Sequence, residues 1–412
     1  MKPTGAIPPD FEARDNRLLI GGRTSADLIA EAGDTPVFVY DLGIVRARVE
    51  RLRAALPADV AIHYAMKANP FTSLVQAMSE LVDGIDVASA GELRQALDAG
   101  AKTISFAGPG KRDDELEAAI TAGITINLES EGEAARGLAI AERLGVRPKL
   151  AVRVNPDFEL RGSGMRMGGG AKPFGVDAER APALIRTIVD GGADWRGLHI
   201  FAGSQTLDSG AIIEAQGATI ALAARMAEAV GLSPPTVNLG GGFGIPYFAG
   251  DVPLDIETVG AALGGALAAR PPILADTAFA IELGRWLVGE AGVYLTRIVD
   301  RKVSQGETFL VVDGGLHHQL AASGNFGAVV RRNYPIALAD RFGVEPEETV
   351  SVVGCLCTPL DRLGDKVGLP RADVGDIVAI FLAGAYGASA SPSAFLGHPP
   401  AREILVDEVS EP

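Results

Sequence analysis

Short apolar runs alternate with amphipathic segments through most of the chain. Runs rich in β-branched residues predict eight strands, at 61–66, 84–88, 103–107, 124–128, 149–154, 196–201, 236–239 and 278–282. Apolar residues spaced three or four positions apart predict helices at 90–99, 113–122, 130–144, 177–190, 208–230 and 256–268. This alternation predicts an α/β fold with a parallel sheet, and eight repeats favour a (β/α)8 TIM barrel. A doubly wound sheet is disfavoured because no G-x-G-x-x-G turn follows the first strand.

The pattern changes after residue 285. Extended segments at 292–300, 308–313, 348–353 and 376–381 follow one another with few helical patterns between them, which predicts a mostly β domain. A further strand is predicted at 36–40. We therefore expect a barrel domain over residues 36–285 and a β domain formed by residues 1–35 and 286–412.

Composition and charge narrow the class of protein. The chain has 412 residues, of which 47% are hydrophobic and 22% charged, as in ordinary globular proteins. Its net charge of −15 disfavours nucleic acid as a partner. We find neither an apolar run long enough to cross a bilayer nor an N-terminal secretory signal, so we expect a cytoplasmic protein without a membrane partner.

The two cysteines, Cys355 and Cys357, are one residue apart. This spacing is too short for a relaxed disulfide. The neighbouring sequence has no cluster of histidine or cysteine ligands, so we expect no metal site.

Residues at the end of each barrel strand or just after it are candidates for chemistry, because active sites of such barrels form at the carboxyl ends of the strands. These residues are Lys67, Asp86, Arg153, His199, Phe201, Ser204, Gly240, Gly241, Gly242, Glu282, Gly284 and Arg285.

Three of these features together match the needs of one cofactor. A desolvated Lys67 is a candidate Schiff-base nucleophile, although a surface lysine is the simpler interpretation. Gly240–Gly242 expose backbone amides for a phosphate, or form only a tight turn. Glu282 can pair with a pyridinium nitrogen, or form a structural salt bridge. An amine, a phosphate cradle and an acid are what pyridoxal 5′-phosphate (PLP) requires.

The sequence resembles the fold-type III PLP-dependent decarboxylases, which include diaminopimelate, ornithine and arginine decarboxylases. The resemblance extends from Pro36 to Val406, and the stretches that carry it are Tyr64–Pro70, Gly84–Leu93, Gly203–Gln205, Gly240–Ile245, Glu282–Arg285, Cys357–Asp361 and Gly384–Gly387. It implies an alanine-racemase-like barrel followed by a β-sandwich or β-barrel domain.

The resemblance also implies roles for individual residues. Lys67 would hold PLP as a Schiff base and Glu282 would pair with the ring nitrogen. The cofactor pocket would further contain Asp86, Arg153, His199, Phe201 and Gly284, with the phosphate held by Ser204, Gly240–Gly242, Arg285 and Tyr386. The substrate would meet Arg285, Arg331, Tyr334, Thr358 and Asp361.

Cys357 would protonate Cα after CO2 leaves, and in this family that cysteine comes from the other subunit. A homodimer with shared active sites is therefore implied. Taken alone, Cys357 could be a small buried residue, but its place in the sequence Cys-Thr-Pro-Leu-Asp favours the catalytic role. Cys355 has no counterpart in the family, and we assign it no role.

Three departures from the family concern the substrate. Phe201 replaces the histidine that stacks on the PLP ring, and His199 lies two residues earlier on the same face of the strand. Thr358 replaces a carboxylate that recognises a distal ammonium, so a strong charge-assisted contact is lost. The third departure is the stretch 317–334, which replaces the segment that clamps a distal carboxylate and includes His317, His318, Asn325, Phe326, Arg331 and Arg332. We expect His318 to be solvated, and we leave open whether the two arginines bind an anion or are surface charge.

These features favour decarboxylation of an amino acid that is not a standard diamine precursor. They resemble a biosynthetic subgroup that decarboxylates a glutamyl group on an acyl carrier protein. The net charge of −15 disfavours an acidic carrier unless Arg331 and Arg332 form a basic patch. The alternatives are a diaminopimelate decarboxylase, an amino-acid racemase and a non-catalytic PLP-binding homologue.

Overall fold

The computed structural model describes residues 1–162, 164–324 and 331–407. It divides into two compact units. One unit consists of Val49–Ile245 and Pro253–Gly284, and the other of Met1–Arg48, Pro246–Val252 and the residues from Arg285 onward. Residues 36–48, which we predicted to belong to the barrel domain, are grouped with the second unit. The domain boundaries given in the sequence analysis stay a prediction.

The first unit is a closed barrel of eight parallel strands. Its strands are Val60–Ala65, Gly84–Val87, Ile104–Phe106, Thr125–Leu128, Lys149–Asn155, Asp194–Ile200, Thr236–Asn238 and Ala278–Leu283. Each strand pairs with the next, and the last pairs with the first through Leu283 and Tyr64. The predicted barrel is confirmed, and every strand ends within two residues of its predicted limits.

Helices follow most of the barrel strands. They are Thr72–Leu81, Ala90–Asp98, Asp113–Thr121, Glu131–Leu144, Ala181–Asp190, Ser209–Val230 and Ile256–Ala268. Side chains of Ser89, Ser130, Asp208 and Asp255 accept the N–H groups of the first turns, which explains why these starts could be predicted. Thr72–Leu81 was not predicted, because Phe71 precedes it without a capping side chain. Three short strands, Met165–Arg166, Val176–Asp177 and Gly203–Ser204, complete this unit.

The second unit is built on a mixed sheet, as predicted for the C-terminal region. Its main strands follow the order Ile336–Leu338, Ile377–Ile380, Gly292–Ser304, Glu307–Val312, Glu348–Val353 and Arg362–Leu369. Val37–Asp41 pairs with both Gly292–Ser304 and Arg402–Val406.

Near the N-terminus of this unit lie the strands Glu12–Arg14, Arg17–Ile20 and Arg23–Thr24 and the helix Ser25–Ala32. The helix Leu42–Ala55 begins in this unit and continues into the barrel unit, and a short helix, Arg285–Val288, follows the last barrel strand. Within the described residues, no helix combines the length and apolar character needed to span a membrane.

Candidate active site

Lys67 lies where the first barrel strand ends. A single 3-10 turn, Met66–Ala68, follows the strand and carries the lysine. The Nζ atom lies 3.7 Å from Oε1 of Glu282 and 5.5 Å from the ring centre of Phe201. Its side chain is 44% exposed, so the amine can be reached from solvent while it faces a carboxylate.

Glu282 is the buried carboxylate of the mouth. Its Oε2 atom lies 2.7 Å from Nε2 of His199, and both side chains are almost fully buried. Burial by itself raises the pKa of Glu282, but the hydrogen bond from His199 and the charge of Lys67 lower it to about 2. The carboxylate is therefore ionised at neutral pH. Nδ1 of His199 is buried and has no hydrogen-bond partner among the described residues.

Two residues that line the mouth, Asp86 and Arg153, each pair with a neighbouring side chain. Oδ1 of Asp86 lies 3.1 Å from Nδ1 of His63, and its Oδ2 atom is buried with no partner in the described part of the chain. Burial lowers the pKa of His63, but the nearby Asp86 carboxylate outweighs this and raises it. Arg153 donates to Glu129 over 2.8 Å. These pairs fix the two predicted pocket residues, Asp86 and Arg153, in place.

Phe201 lies one residue beyond the end of the sixth strand and two positions after His199. Their rings are 6.5 Å apart and nearly parallel, with an interplanar angle of 21°. Phe201 can offer a ring face to a flat ligand but no hydrogen bond or charge.

The glycine turn after the seventh strand leaves no room for side chains. A Cβ on Gly241 would lie 2.0 Å from the backbone oxygen of Glu282. Gly240 has a φ of +70°, and its Cβ would lie 2.6 Å from the backbone oxygen of Ile200. The chain therefore passes tightly between the sixth and eighth strands. Ser204 lies half-buried in the short strand Gly203–Ser204.

These residues leave a cavity in the barrel mouth. Its volume is about 170 Å³, and its lining includes Lys67, Asp86, Arg153, Met167, Phe174 and Glu282. It offers a reachable amine, an ionised buried carboxylate and aromatic faces, beside unpartnered buried atoms of Asp86 and His199. The donor set fits PLP: Lys67 would bind its carbonyl carbon and Glu282 its ring nitrogen.

The second unit holds the other predicted phosphate ligands. Arg285 donates from Nη1 to the hydroxyl of Tyr247 over 2.6 Å, and its Cζ atom lies 4.7 Å from the ring centre of Tyr386. Tyr386 has a left-handed backbone with a φ of +56°, a conformation that is uncommon outside glycine and often marks functional sites.

Cys357 is exposed in a tight turn, so the interpretation of it as a small buried residue is wrong. Thr358 is half-buried and donates its N–H to Leu356 O over 2.8 Å. Asp361 is buried, and its two oxygens accept the N–H groups of Leu316 and Leu356. Its predicted contact with substrate is untested, and in this chain it fixes two loops.

The remaining predicted substrate residues are Tyr334 and Arg331. Tyr334 is buried, with its ring 4.9 Å from that of Tyr247. Arg331 donates to Leu360 O over 3.2 Å. Asn325 and Phe326, which we singled out in the sequence, lie outside the described residues.

Two expectations about the histidines and cysteines are wrong. His318 is 3% exposed rather than solvated, since it is held by Tyr294 and the backbone of Pro399. The expected absence of histidines near Cys355 does not hold in space, because His317 and His398 approach it. Burial and the charge of Asp361 raise the pKa of Cys355 to about 11.

Comparison with known proteins now defines the class. Residues 42–289 match the family model described as pyridoxal-dependent decarboxylase, pyridoxal binding domain. The chain therefore belongs to the pyridoxal-dependent decarboxylases, enzymes that use PLP and act as carboxy-lyases.

Three relatives show how widely the similarity extends. The L-glutamyl-[BtrI acyl-carrier protein] decarboxylase of Niallia circulans is 38% identical over 380 residues, which cover 90% of this chain and 89% of that one. The diaminopimelate decarboxylase of Methanothermobacter thermautotrophicus is 34% identical over 97% of this chain and 93% of that one. A crystal structure of diaminopimelate decarboxylase from M. jannaschii with L-lysine has a TM-score of 0.87 at 26% identity, covering 98% and 94%. These decarboxylases give no support to the racemase and non-catalytic alternatives.

Sequence reasoning missed several residues that contact the predicted site residues Asp86, Arg153 and Arg285. Glu129 directly follows the fourth strand, so the rule that found Lys67 would also have found it. His63 alternates with Ala61 and Ala65 along the first strand, so it points to the same side of the strand as they do. This alternation could have identified it from the sequence. Tyr247 and Phe174 come from loops, and only the folded structure reveals them.

Proposed function

We propose that this enzyme decarboxylates an α-amino acid group with Lys67 as the residue that binds PLP and Cys357 as the proton donor. The proposal is supported by the separation of 3.7 Å between Lys67 Nζ and Glu282 Oε1 at the barrel mouth. When bound, PLP supplies an electron sink for the electron pair left by departing CO2.

The chain's own residues carry the other parts of this reaction. Glu282, ionised and held by His199, provides the carboxylate that keeps a proton on the ring nitrogen. Asp86 and Arg153 are held by His63 and Glu129, so the polar wall of the cavity is preorganised. The turn Gly240–Gly242 and Ser204, with Arg285 and Tyr386, would hold the phosphate.

Cys357 would deliver a proton to Cα of the substrate after CO2 leaves. Its thiol is exposed, so a second subunit can receive it. We propose a homodimer in which Lys67 of one chain and Cys357 of the other complete each site.

The substrate that Thr358 favours has no distal ammonium. A carboxylate at this position would make a charge-assisted bond to such a group, and a threonine cannot. The relative from Niallia circulans is named for a glutamyl group on an acyl carrier protein. We propose that the substrate is a glutamyl thioester on a carrier protein. The support for this proposal is Thr358 and the similarity to this relative.

A basic patch supports delivery by a carrier protein. Arg331 and Arg332 line a cavity of about 120 Å³ with Phe248 and Asn333. Lys2 also lines it, and its ammonium group is paired with Asp365. The Cζ atom of Arg332 lies 3.7 Å from the ring centre of Phe248, which orients the guanidinium. Carrier proteins are acidic, so this patch would counter the repulsion expected from a net charge of −15.

CO2 release from a substrate panel tests the proposal. The panel contains meso-diaminopimelate, ornithine, lysine, arginine, glutamate and carrier-linked glutamate. We expect the highest kcat/KM for carrier-linked glutamate. Thr358→Glu should shift the preference towards diaminopimelate by tenfold or more, and Thr358→Gln, which adds no charge, should not. Equal turnover of diaminopimelate by the wild type would contradict the proposal.

A diaminopimelate decarboxylase is the second candidate. It is favoured by the relative from Methanothermobacter thermautotrophicus, which aligns with 97% of this chain. Efficient release of CO2 from meso-diaminopimelate with none from the carrier-linked substrate would establish it.

A further inference from the structure

Three side chains of the second unit bring metal-binding atoms together. A ring nitrogen of His317, the Sγ atom of Cys355 and a ring nitrogen of His398 all lie within 4.8 Å of one another. Cys355 Sγ is 3.9 Å from Nε2 of His398. The residues are far apart in sequence, so only the fold assembles them.

Among these three residues, His317 has the strongest reason to bind a ligand. Its side chain is fully buried, and neither ring nitrogen has a hydrogen-bond partner among the described residues. Buried polar atoms without partners are costly, and an unmodified imidazole here has two. Its ring lies 5.1 Å from that of His398, so one nitrogen can share a ligand with it.

The loops that carry these residues are already fixed to one another. The Asp361 carboxylate accepts N–H groups from Leu316 and Leu356, which neighbour His317 and Cys355. Cys355 also donates its N–H to Gly314 O over 3.2 Å.

The third loop is fixed through His318. Nε2 of His318 donates to Pro399 O over 2.9 Å, while Nδ1 lies 3.0 Å from the hydroxyl of Tyr294. Because Pro399 follows His398, this bond positions the third candidate ligand. Each ligand therefore has an anchored backbone beside it, as preorganised metal sites do.

We propose that His317, Cys355 and His398 form a Zn²⁺ site with one thiolate and two imidazole ligands. Zinc binds these donors at about 2.3 Å for sulfur and 2.0–2.1 Å for nitrogen. The side chains of Cys355 and His398 are half-buried, which leaves an entry path for the ion. Binding displaces the thiol proton of Cys355 to solvent, and water completes the tetrahedron.

The site would stiffen the loop of the proposed proton donor. Cys355 and Cys357 are separated by one residue, and they differ in exposure. Zinc on Cys355 would hold the turn from which Cys357 is presented. This consequence rests on the proposed role of Cys357, whereas the metal site itself does not.

Zinc content of the PLP-loaded protein tests the proposal. Protein stripped with a chelator is dialysed against micromolar ZnCl2 and analysed by mass spectrometry for metal. We expect one zinc per chain, and X-ray absorption should show one sulfur and two imidazole ligands. Cys355→Ser and, separately, His398→Asn should each weaken zinc binding at least tenfold.

Cys357→Ser is the matched control, because it removes the other thiol and leaves the three proposed ligands intact. It should bind zinc as the wild type does. The proposal is overturned by a wild-type content below a tenth of an equivalent, by equal binding in Cys355→Ser, or by bound zinc without a sulfur ligand. Circular dichroism of each variant distinguishes a lost ligand from a lost fold.

Discussion

At the scale of single residues, Glu282 connects Lys67 and His199 in the barrel mouth. One of its oxygens faces Lys67 and the other is bound to His199. From the sequence alone, a surface lysine was the simpler interpretation of Lys67. The contact with Glu282 favours a functional role for its amine instead. The amine is exposed, but it is exposed beside a buried, ionised acid.

Replacing Lys67 tests its proposed role directly. Lys67→Ala should abolish CO2 release, because no other described residue offers an amine in this cavity. Borohydride reduction followed by peptide mass analysis should find the cofactor bound at position 67 in the wild type. Lys102→Ala, which removes an exposed lysine, should leave both results unchanged. Cofactor attached elsewhere in the wild type would disprove the assignment.

The low pKa of Glu282 predicts how stability depends on pH. Its pKa is lowered from 4.5 to about 2, so the folded state favours the ionised form. This contribution is fully present above pH 4.5 and is lost as pH falls towards 2. The free energy of unfolding should therefore fall more steeply with acid in the wild type than in Glu282→Gln.

Urea unfolding at a series of pH values measures this difference. Glu142→Gln serves as the control, since Glu142 is exposed on a helix, and its curve should follow the wild type. Parallel curves for the wild type and Glu282→Gln would mean that the carboxylate gains nothing from His199 and Lys67.

At the scale of elements, the glycine turn after the seventh strand determines how closely the strands approach. Gly241→Ala would place a methyl group 2.0 Å from Glu282 O, which must force the strands apart. Overpacking of this kind costs about 1–3 kcal/mol, and a displaced turn should lower PLP affinity about tenfold. Cofactor titration by absorbance measures the loss.

Gly217→Ala is the matched control for this change. Gly217 lies in the helix Ser209–Val230, and its added Cβ would meet no atom within 4 Å. It should stabilise the protein by up to about 1 kcal/mol without changing PLP affinity. Equal PLP affinity in Gly241→Ala and the wild type would show that the turn does not contribute to the cofactor site.

Strand periodicity predicted the barrel well because each strand buries a continuous apolar run. Once the strands were predicted, the residues at their carboxyl ends, from Lys67 to Glu282, could be named as candidate site residues. Helix Thr72–Leu81 escaped prediction because it lacks a capping side chain. Burial of His318 could not be predicted, because it depends on Tyr294 and Pro399, which are distant in sequence.

At the scale of the whole molecule, the candidate chemistry is divided between two compact units. Lys67 and Glu282 belong to the barrel unit, and Cys357 belongs to the mixed-sheet unit. Assembly of two chains is the proposed means by which the amine of one and the thiol of the other serve one substrate. Cyclic dimers are the commonest symmetric assemblies, and such an arrangement creates two equal sites.

Cys357→Ala alone separates bond breaking from protonation. CO2 should still be released, because the cavity around Lys67 is intact. The correctly protonated amine should form about 10²–10⁴-fold more slowly, as expected for loss of a general acid. Product analysis in D2O should show side products or mixed stereochemistry at Cα. Lys102→Ala, which removes an exposed lysine, is the control, and it should retain stereospecific labelling.

Complementation between two variants that each fail to form the correctly protonated product at the wild-type rate tests the shared site most directly. Lys67→Ala and Cys357→Ala are mixed, unfolded and refolded together with PLP, and formation of correctly protonated product is measured. We predict recovery of about one quarter of wild-type turnover, because half of the randomly assorted dimers contain both variants and each has one complete site. Activity no higher than that of either variant alone, in a mixture shown to contain hybrid dimers, would contradict the account.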